Sequence, residues 1–176
     1  MIKFIEKHDI KIYHYINSHK YKKGLDHFMR FFSFLGNLGM LWILLALLFI
    51  LNRNLRREGI ALICALVLTT MLGEGLIKHL VKRKRPFIKL NTIDNLIISP
   101  PSSYSFPSGH TASSFAAATI FFAIDSRISI LIAVVALIIS FSRLYLNVHY
   151  FSDVIAGALL GTFCGSVTAY LFNIII

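Results

Sequence analysis

Long apolar stretches separated by short polar ones run through this 176-residue chain. Several of them approach the ~20 residues that a membrane-spanning helix needs. The pattern predicts spans at about residues 28–51, 59–80, 109–124, 128–146 and 153–175. Short charged segments at 52–58 and 125–127 join consecutive spans, the second as a tight turn. We therefore predict an all-α integral membrane bundle of about five transmembrane helices, built as a single domain over residues 1–176.

Residues 1 to about 22 follow a different pattern. Apolar residues form an approximate helical stripe and lysines fill the other face, which is typical of an amphipathic helix lying along a membrane surface. His8, His14 and His19 do not share one face of this helix, so we predict no metal site there. The segment lacks the apolar core and cleavage site of a signal peptide, and the spans are expected to direct insertion.

Composition supports a membrane location. Hydrophobic residues make up 56% of the chain and the mean hydropathy is +0.71, whereas soluble domains are about 45–50% apolar. The net charge of +10 favours membrane lipid headgroups or an anionic substrate as partners. No motif indicates nucleic-acid binding, a cofactor or a protein partner. Cys64 and Cys164 lie inside apolar spans, and we interpret both as small buried hydrophobic residues.

The predicted topology places three polar segments on one side of the membrane: the N-terminal helix, the loop 81–108 and the turn 142–153. Of the 18 Lys and Arg residues, 4 fall in the two loops of the other side, which leaves 14 on the first side. The positive-inside rule places that first side in the cytoplasm. However, a phosphate-binding site needs several of these charges in either orientation, so the charge count leaves the sidedness open. A polar loop as long as 81–108 is either disordered or functional.

Three clusters of candidate chemical residues lie on this first side. Lys78 precedes Arg85-Pro86 by six intervening residues, and the two cations lie two turns apart if the second helix continues. The third span opens with Pro107-Ser108-Gly109-His110, and the turn after the fourth span contains Ser142-Arg143, His149 and Asp153. Charged residues at membrane depth are costly, and they normally persist there because they pair, line a polar cavity or do chemistry.

These residue types suit phosphoryl transfer. If the chain after Tyr150 is helical, His149 and Asp153 share one face at i and i+4, and the carboxylate holds the imidazole in one tautomer. Arg143 offers a planar fork of donors for phosphate, although it is also a candidate ion-pair partner for Asp153. We predict His149 as nucleophile and His110, which has no obvious carboxylate neighbour, as general acid.

The start of the third span suits the anion itself. A helix N-terminus presents free N–H groups, Ser108 can act as N-cap or phosphate donor, and Gly109 lets the backbone approach closely. Together with the cations Lys78, Arg85 and Arg143, this terminus forms a site for a doubly charged tetrahedral anion.

The three motifs resemble the signature of the type 2 phosphatidic acid phosphatase (PAP2) superfamily. Every signature position is matched, in order: Lys78, Arg85 and Pro86; Pro107, Ser108, Gly109 and His110; Ser142, Arg143, His149 and Asp153. The resemblance implies metal-independent dephosphorylation of lipid phosphates through a phosphohistidine on His149, with His110 as general acid and Lys78, Arg85, Ser108, Gly109 and Arg143 around the phosphate. Many relatives have six spans, whereas this chain has only the 28–51 segment before the first motif. Bacterial relatives usually place the site on the extracytoplasmic face of the cell membrane, and we expect the same here.

Some nearby residues have simpler interpretations. Glu74 lies one turn before Lys78, and we favour an ion pair that orients the lysine over a role as catalytic base. His79 is interpreted as an interfacial residue. The basic run 82–84 is interpreted as solvated and facing lipid headgroups.

The sequence leaves the substrate open. Undecaprenyl diphosphate is favoured, since small bacterial relatives of this size often resemble that group. Phosphatidylglycerophosphate is the runner-up, followed by phosphatidic acid and lipid A phosphate. Vanadium-dependent haloperoxidases are similar in their phosphate-shaped pocket, but they are soluble. A non-enzymatic anionic-lipid binder needs only the cations, so the two histidines and Asp153 argue against it.

Overall fold

The computed structural model describes residues 2–18, 23–124 and 127–174, and within these ranges the chain contains helices and no β-strand. The α-helices, in order, are α1 (Ile2–Ser18), α2 (Lys23–Leu35), α3 (Met40–Leu51), α4 (Arg56–Thr70), α5 (Lys78–Val81), α6 (Pro86–Lys89), α7 (Gly109–Ala123), α8 (Ser129–Tyr145) and α9 (Phe151–Leu171). A π-helical segment, Met71–Ile77, joins α4 to α5. The predicted all-α fold is therefore confirmed. Two residues of the turn predicted at 125–127, and His19, lie outside the described residues.

Two segments are long and apolar enough to cross a membrane by themselves: Arg56–Lys89 and Phe151–Leu171. The pair Lys23–Leu35 and Asn37–Leu51 adds a third candidate if it counts as one bent span. Helix α8 is apolar but shorter, with 17 residues, and α7 has 15. By length and composition the described residues thus provide two or three candidate spans, and the count of about five remains a prediction.

The first predicted span is broken rather than continuous. Helices α2 and α3 meet at an angle of 50° across the 3₁₀ turn Asn37–Gly39. Leu38 has φ +51° and Gly39 has φ +69°, both left-handed, so the helix cannot continue through them. A Cβ atom on Gly36 would lie 2.8 Å from Cδ2 of His110, which explains why a residue without a side chain stands at this contact.

The helix of the second span, predicted over residues 59–80, does not continue as far as Arg85. Helix α5 ends at Val81, and Lys82 adopts left-handed φ and ψ of 49° and 36°. Residues 82–85 are non-helical, and Arg85 has extended backbone immediately before Pro86 opens α6. Arg85 therefore does not lie two helical turns beyond Lys78. The irregular segment turns its guanidinium back towards Val148 and His149.

Helices α7 and α9 pack very closely. Gly157, Gly161 and Gly165 recur every fourth residue of α9, and a Cβ atom at each would lie under 3.0 Å from an atom of the 108–119 segment. Small residues at helix contacts let backbones approach in this way. The Ala-rich sequence of α7 suits this close contact. The contact fixes the first turn of α7 beside the first turn of α9.

The apolar core lies farther along the same bundle, among α3, α4, α7 and α8. Fully buried side chains there include Trp42, Leu62, Phe121 and Ile139. The indole Nε1 of Trp42 donates to Ser114 Oγ at 3.1 Å, so its polar atom has a partner inside the core. Of the two cysteines, Cys164 is buried as predicted. Cys64 is exposed on α4, so its predicted burial was wrong.

Helix α1 forms where the amphipathic pattern predicts it. Its exposed side includes Phe4 and Tyr15, whereas Asp9 and Tyr13 are buried against the rest of the chain. Tyr13 Oη hydrogen-bonds Thr92 Oγ1 at 2.9 Å, and Asn17 Oδ1 accepts from Asn147 at 2.7 Å. The helix therefore packs at the end of the bundle where the loop 81–108 and the turn before α9 meet.

Candidate active site

A cavity of about 590 Å³ opens where the first span is broken. One part of its lining is polar and contains Asn37, Glu74, Lys78, Arg85, Ser103, Gly109, His110, Arg143 and His149. The other part is apolar and contains Leu38, Ile43, Ile63, Leu66, Val67 and Met71. Six of the eight residues predicted for the site thus line one cavity. The other two, Ser108 and Asp153, lie directly behind it with no exposed surface.

His149 and Asp153 are neighbours, although not as two residues of one helix. His149 precedes α9, which begins at Phe151, so the expected i, i+4 helical pair is replaced by a turn followed by a helix N-terminus. Nδ1 of His149 lies 3.5 Å from Oδ2 of Asp153. Nε2 lies 3.2 Å from Nη1 of Arg85.

These contacts assign the tautomer of His149. A guanidinium has only donors, so Nε2 must be the acceptor and the ring proton must reside on Nδ1, facing the carboxylate. Burial lowers the pKa of His149 from 6.5 to about 3, outweighing the opposing effect of Asp153. The imidazole is therefore neutral at neutral pH, with a lone pair on Nε2, as a nucleophile requires.

Asp153 is held by four groups besides His149. Its Oδ2 accepts from the Tyr150 backbone N–H at 2.8 Å and from the Ser105 hydroxyl, and its Oδ1 accepts from Arg83 Nη1 at 2.6 Å. The backbone also ties it to α7, because Ser108 N–H donates to the Asp153 carbonyl at 3.0 Å. The ion-pair partner of Asp153 is therefore Arg83 and not Arg143, as considered from the sequence.

The basic run 82–84 is only partly the solvated surface that was predicted. Lys82 and Lys84 are exposed, as expected. The Arg83 side chain is 22% exposed and forms ion pairs with Asp9 and Asp153. Its predicted headgroup-facing position was wrong. The spacing of this run could not reveal the correct position, because both partners are 70 or more residues away in sequence.

Lys78 and Arg85 meet at Ser103. Lys78 Nζ lies 2.7 Å from Glu74 Oε1, which confirms the predicted ion pair, and donates to Ser103 Oγ at 3.1 Å. Arg85 donates to the Ser103 carbonyl from Nε at 2.7 Å and to its hydroxyl from Nη2 at 3.1 Å. Both cations are 4% exposed or less, so these contacts hold them rigidly towards the cavity. Ser103 was missed in the sequence, where it stands in an unremarkable loop.

Arg143 is buried, and one of its donors is unsatisfied. Its Nη1 donates to Ser33 Oγ, and its Nε has no hydrogen-bond partner among the described residues. A buried donor without a partner costs about 1–3 kcal/mol or more when charged. With Lys78 and Arg85 it gives three positive charges against one negative charge from Glu74, a net +2 around a cavity whose candidate nucleophile, His149, is neutral. An anion with two negative charges complements this site.

The N-terminus of α7 adds backbone donors. Ser108 occupies the N-cap position, but its side chain does not cap the helix and instead accepts from Thr111 Oγ1 at 3.1 Å. Gly109 lies against Glu74: a Cβ atom there would be 2.4 Å from Glu74 Oε1. The close neighbour of Gly109 is thus the carboxylate that pairs with Lys78, and its predicted approach to a phosphate stays a prediction.

His110 has an amide partner that the sequence analysis did not single out. Its Nε2 lies 2.9 Å from Oδ1 of Asn37, in the break of the first span. An amide oxygen is an acceptor, so this contact holds a proton on Nε2. The signal in the sequence was a polar residue between two glycines, Gly36 and Gly39, within an apolar stretch. Among the described residues, no group of three or more His, Cys, Asp or Glu side chains forms a metal site.

A sequence profile of the PAP2 superfamily matches residues 58–175, which contain all three motifs. The chain belongs to this superfamily. The matched region begins at residue 58, after α3. Three residues that contact Arg83, Arg143 and His110 therefore lie outside it: Asp9, Ser33 and Asn37.

Several PAP2 relatives are phosphatases by name. The chain is 36% identical over 122 residues to an undecaprenyl-diphosphatase of Sulfolobus acidocaldarius, covering 69% of this chain and 58% of that protein. It is 29% identical to a lipid A 4'-phosphatase of Bacteroides thetaiotaomicron, covering 94% of this chain and 77% of that protein. The crystal structure of Aquifex aeolicus LpxE superposes with a TM-score of 0.80 at 31% identity, covering 92% and 94% of the two chains. These names support a hydrolase acting on lipid phosphates.

Proposed function

We propose that this protein is a membrane lipid phosphatase that removes the terminal phosphate of a lipid phosphate or diphosphate, with undecaprenyl diphosphate as favoured substrate. The observation that carries the proposal is the mixed lining of the cavity, in which cations and histidines occur together with apolar side chains. Leu38, Val67 and Met71 in the apolar part are 91%, 51% and 65% exposed. This surface suits a lipid tail whose phosphate lies among Lys78, Arg85 and Arg143.

The first step is a displacement at phosphorus. Nε2 of His149 uses its lone pair to form a bond to the terminal phosphorus, and the bond between that phosphorus and the oxygen of the lipid portion breaks. The departing oxygen takes a proton from His110. Negative charge on the equatorial oxygens is stabilised by Lys78, Arg85 and Arg143.

The second step regenerates the enzyme. A water molecule attacks the phosphorus of the phosphohistidine, its proton passes to His110, and the P–N bond to His149 breaks with the electron pair returning to Nε2. Inorganic phosphate leaves with the oxygen of that water. Asp153 faces Nδ1–H throughout and stabilises the positive charge that the ring carries in the intermediate.

The names of the relatives support a lipid phosphate as substrate, although they differ in the lipid. One is named for undecaprenyl diphosphate and another for lipid A. This chain spans 58% of the first relative, the undecaprenyl-diphosphatase, so that relative's substrate is proposed for this chain and not assigned to it. Phosphatidylglycerophosphate and phosphatidic acid remain alternatives, because the phosphate-binding residues contact only the group that all four lipids share.

We further propose the membrane arrangement. The bent pair α2–α3, the segment Arg56–Lys89 and helices α7, α8 and α9 give five passes through a cell membrane, with α1 along its surface. The short α7 crosses inside the bundle, where packing reduces its contact with lipid, whereas the short α8 exposes Ile130, Leu131 and Leu137 on one face. We place the active site on the extracytoplasmic face, following the resemblance to bacterial relatives.

The experiment is phosphate release from purified protein in detergent with excess EDTA. The panel contains undecaprenyl diphosphate, phosphatidylglycerophosphate, phosphatidic acid and lipid A, each with wild type, His149→Ala and His79→Ala. His79 is exposed next to Lys78 and does not line the cavity, so it is a matched histidine control. We expect turnover with a preference for undecaprenyl diphosphate, full activity in EDTA, normal rates for His79→Ala and loss of turnover in His149→Ala.

Equal rates of phosphate release by wild type and His149→Ala on every lipid would contradict the proposed phosphatase activity. Lipid binding that persists without turnover would instead favour the anionic-lipid binder. Clear turnover with a different preferred lipid would retain the chemistry and replace the substrate.

A further inference from the structure

We infer that Asp9 and Arg83 are positioning residues of the catalytic pair, so that the N-terminal helix α1 is part of the active site. The inference rests on the proposed function, and it concerns two residues that are not signature positions of the family: Asp9 lies outside the motifs, and Arg83 is an intervening residue of the first one. Asp9 reaches the site through Arg83, and Arg83 reaches His149 through Asp153. Neither residue lines the cavity.

Although α1 is amphipathic, the Asp9 side chain does not lie on its exposed side. It is 2% exposed, and its Oδ1 accepts from the Ser152 backbone N–H at 2.9 Å. Its Oδ2 accepts from Ser152 Oγ at 2.5 Å and from Arg83 Nη2 at 2.7 Å. Ser152 belongs to the first turn of α9, so Asp9 supplies a carboxylate to that helix N-terminus, where negative charge is stabilising.

Arg83 bridges two buried carboxylates. Its Nη2 contacts Asp9 and its Nη1 contacts Asp153 at 2.6 Å, and Nη1 also donates to Ser152 Oγ at 2.7 Å. The guanidinium lies over the Tyr150 ring, with Cζ 4.1 Å from the centroid. A planar guanidinium can satisfy both carboxylates and stack on the ring at once, whereas the single ammonium of lysine cannot reproduce this geometry.

The bridge determines how Asp153 faces His149. Oδ1 is directed to Arg83, which leaves Oδ2 towards the Tyr150 N–H and Nδ1 of His149. If Arg83 is lost or released by Asp9, the Asp153 carboxylate loses its partner at Oδ1 and is held through Oδ2 alone. Two negative groups then remain buried near each other with less compensation. The tautomer and direction of His149 are then less well held. The phosphate-binding cations do not contact Asp9 or Arg83, so binding of phosphate is expected to survive.

The test compares Asp9→Asn and Arg83→Lys with Glu6→Gln in full-length protein in detergent. Glu6 is the matched control, because it lies on α1 with Asp9 and pairs with Lys89, which belongs with Arg83 to the 81–108 loop. It does not contact Asp9, Arg83 or Asp153. The measurements are kcat, KM, inhibition by inorganic phosphate, and the single-turnover rate of phosphohistidine formation. A thermal midpoint measured in detergent establishes that each variant is folded.

We expect kcat and the rate of phosphohistidine formation to fall ~10- to 100-fold in both variants, the scale of a misplaced reacting group. KM and inhibition by phosphate should stay within about twofold, as should all values for Glu6→Gln. Should Arg83→Lys not fold, Asp9→Asn carries the test, since it is isosteric and keeps the bridging cation.

Two results would overturn the inference. One is wild-type kcat in a folded Asp9→Asn, which would make the contact structural only. The other is a loss of phosphate inhibition in parallel with kcat, which would indicate general disruption of the site. Failure of the proposed function is distinguishable, because wild type itself would then release no phosphate from any lipid.

Discussion

Replacement of Gly161 by alanine tests whether helix packing sets the catalytic geometry. A Cβ atom at this position would lie 2.1 Å from the carbonyl oxygen of Ala112 and 2.9 Å from the amide nitrogen of Ala116. Both are backbone atoms of α7, so no side-chain rotation relieves the overlap. Ordinary contact begins near 3.4 Å, and the difference of 3.4 − 2.1 = 1.3 Å must come from separation of the two helices.

Separation of α7 and α9 is expected to lower both the free energy of unfolding and the rate of turnover. Overpacking of this kind typically costs about 1–3 kcal/mol, and each kcal/mol lowers the thermal midpoint by ~2–4 °C for a chain of this size. Ala112 follows His110 by two residues, and Gly161 lies on the helix that carries Asp153. A displacement of about 1 Å between reacting groups costs up to ~100-fold in rate. We therefore expect a lower midpoint together with a fall in kcat of ~10- to 100-fold.

The assay is thermal unfolding in detergent followed by lipid phosphate turnover well below the midpoint. Gly24→Ala is the matched control, because the same substitution in α2 meets nothing within 4 Å. It should leave turnover unchanged and, by reducing the entropy of the unfolded chain, leave the midpoint equal or slightly higher. A Gly161→Ala variant with unchanged midpoint and kcat would refute the reasoning, since the helices would then have room that the geometry does not allow.

Two further predictions concern residues around the cations and the acid. Asn37→Ala removes the acceptor of His110. We expect kcat to fall ~10-fold for alkyl phosphomonoesters but much less for an aryl phosphate, because its leaving group needs no proton. Equal losses on both substrates would contradict a role of Asn37 in holding the general acid His110. Glu74→Gln removes one negative charge beside Lys78, and we expect inorganic phosphate to inhibit a few-fold more strongly while kcat stays within about tenfold. A loss of ~100-fold or more in Glu74→Gln would instead indicate that Glu74 is the catalytic base.

Residues distant in sequence account for what the sequence analysis missed. The site contacts of Asn37 with His110, Asp9 with Arg83 and Ser33 with Arg143 join residues 73, 74 and 110 positions apart. Each of these partners is a common polar residue with no distinctive spacing. The Glu74–Lys78 pair was predictable, because both residues lie one helical turn apart and local geometry alone brings them together.

Breaks in the helices were harder to predict than the helices themselves. The apolar stretch around Gly36–Gly39 satisfies the hydropathy of a continuous span, yet left-handed residues interrupt it, and the same applies after Val81 at Lys82. Hydropathy is insensitive to such breaks because it measures transfer of side chains and not backbone direction. In this protein both breaks border the cavity, and they bring Asn37 and Arg85 to it.

The sequence by itself determined the helical class, the apolar segments and a set of residue types suited to phosphoryl transfer, because these depend on composition, periodicity and short spacings. Only the tertiary structure decided which buried charge pairs with which, that Arg83 and not Arg143 contacts Asp153, and that the N-terminal helix reaches the catalytic pair. The physical reason is that a buried charge must be compensated by whichever opposite charge or donor the packing brings within about 3 Å. That choice depends on which helix the glycine-lined face of α9 packs against and on the course of two irregular segments, and local pattern reveals neither.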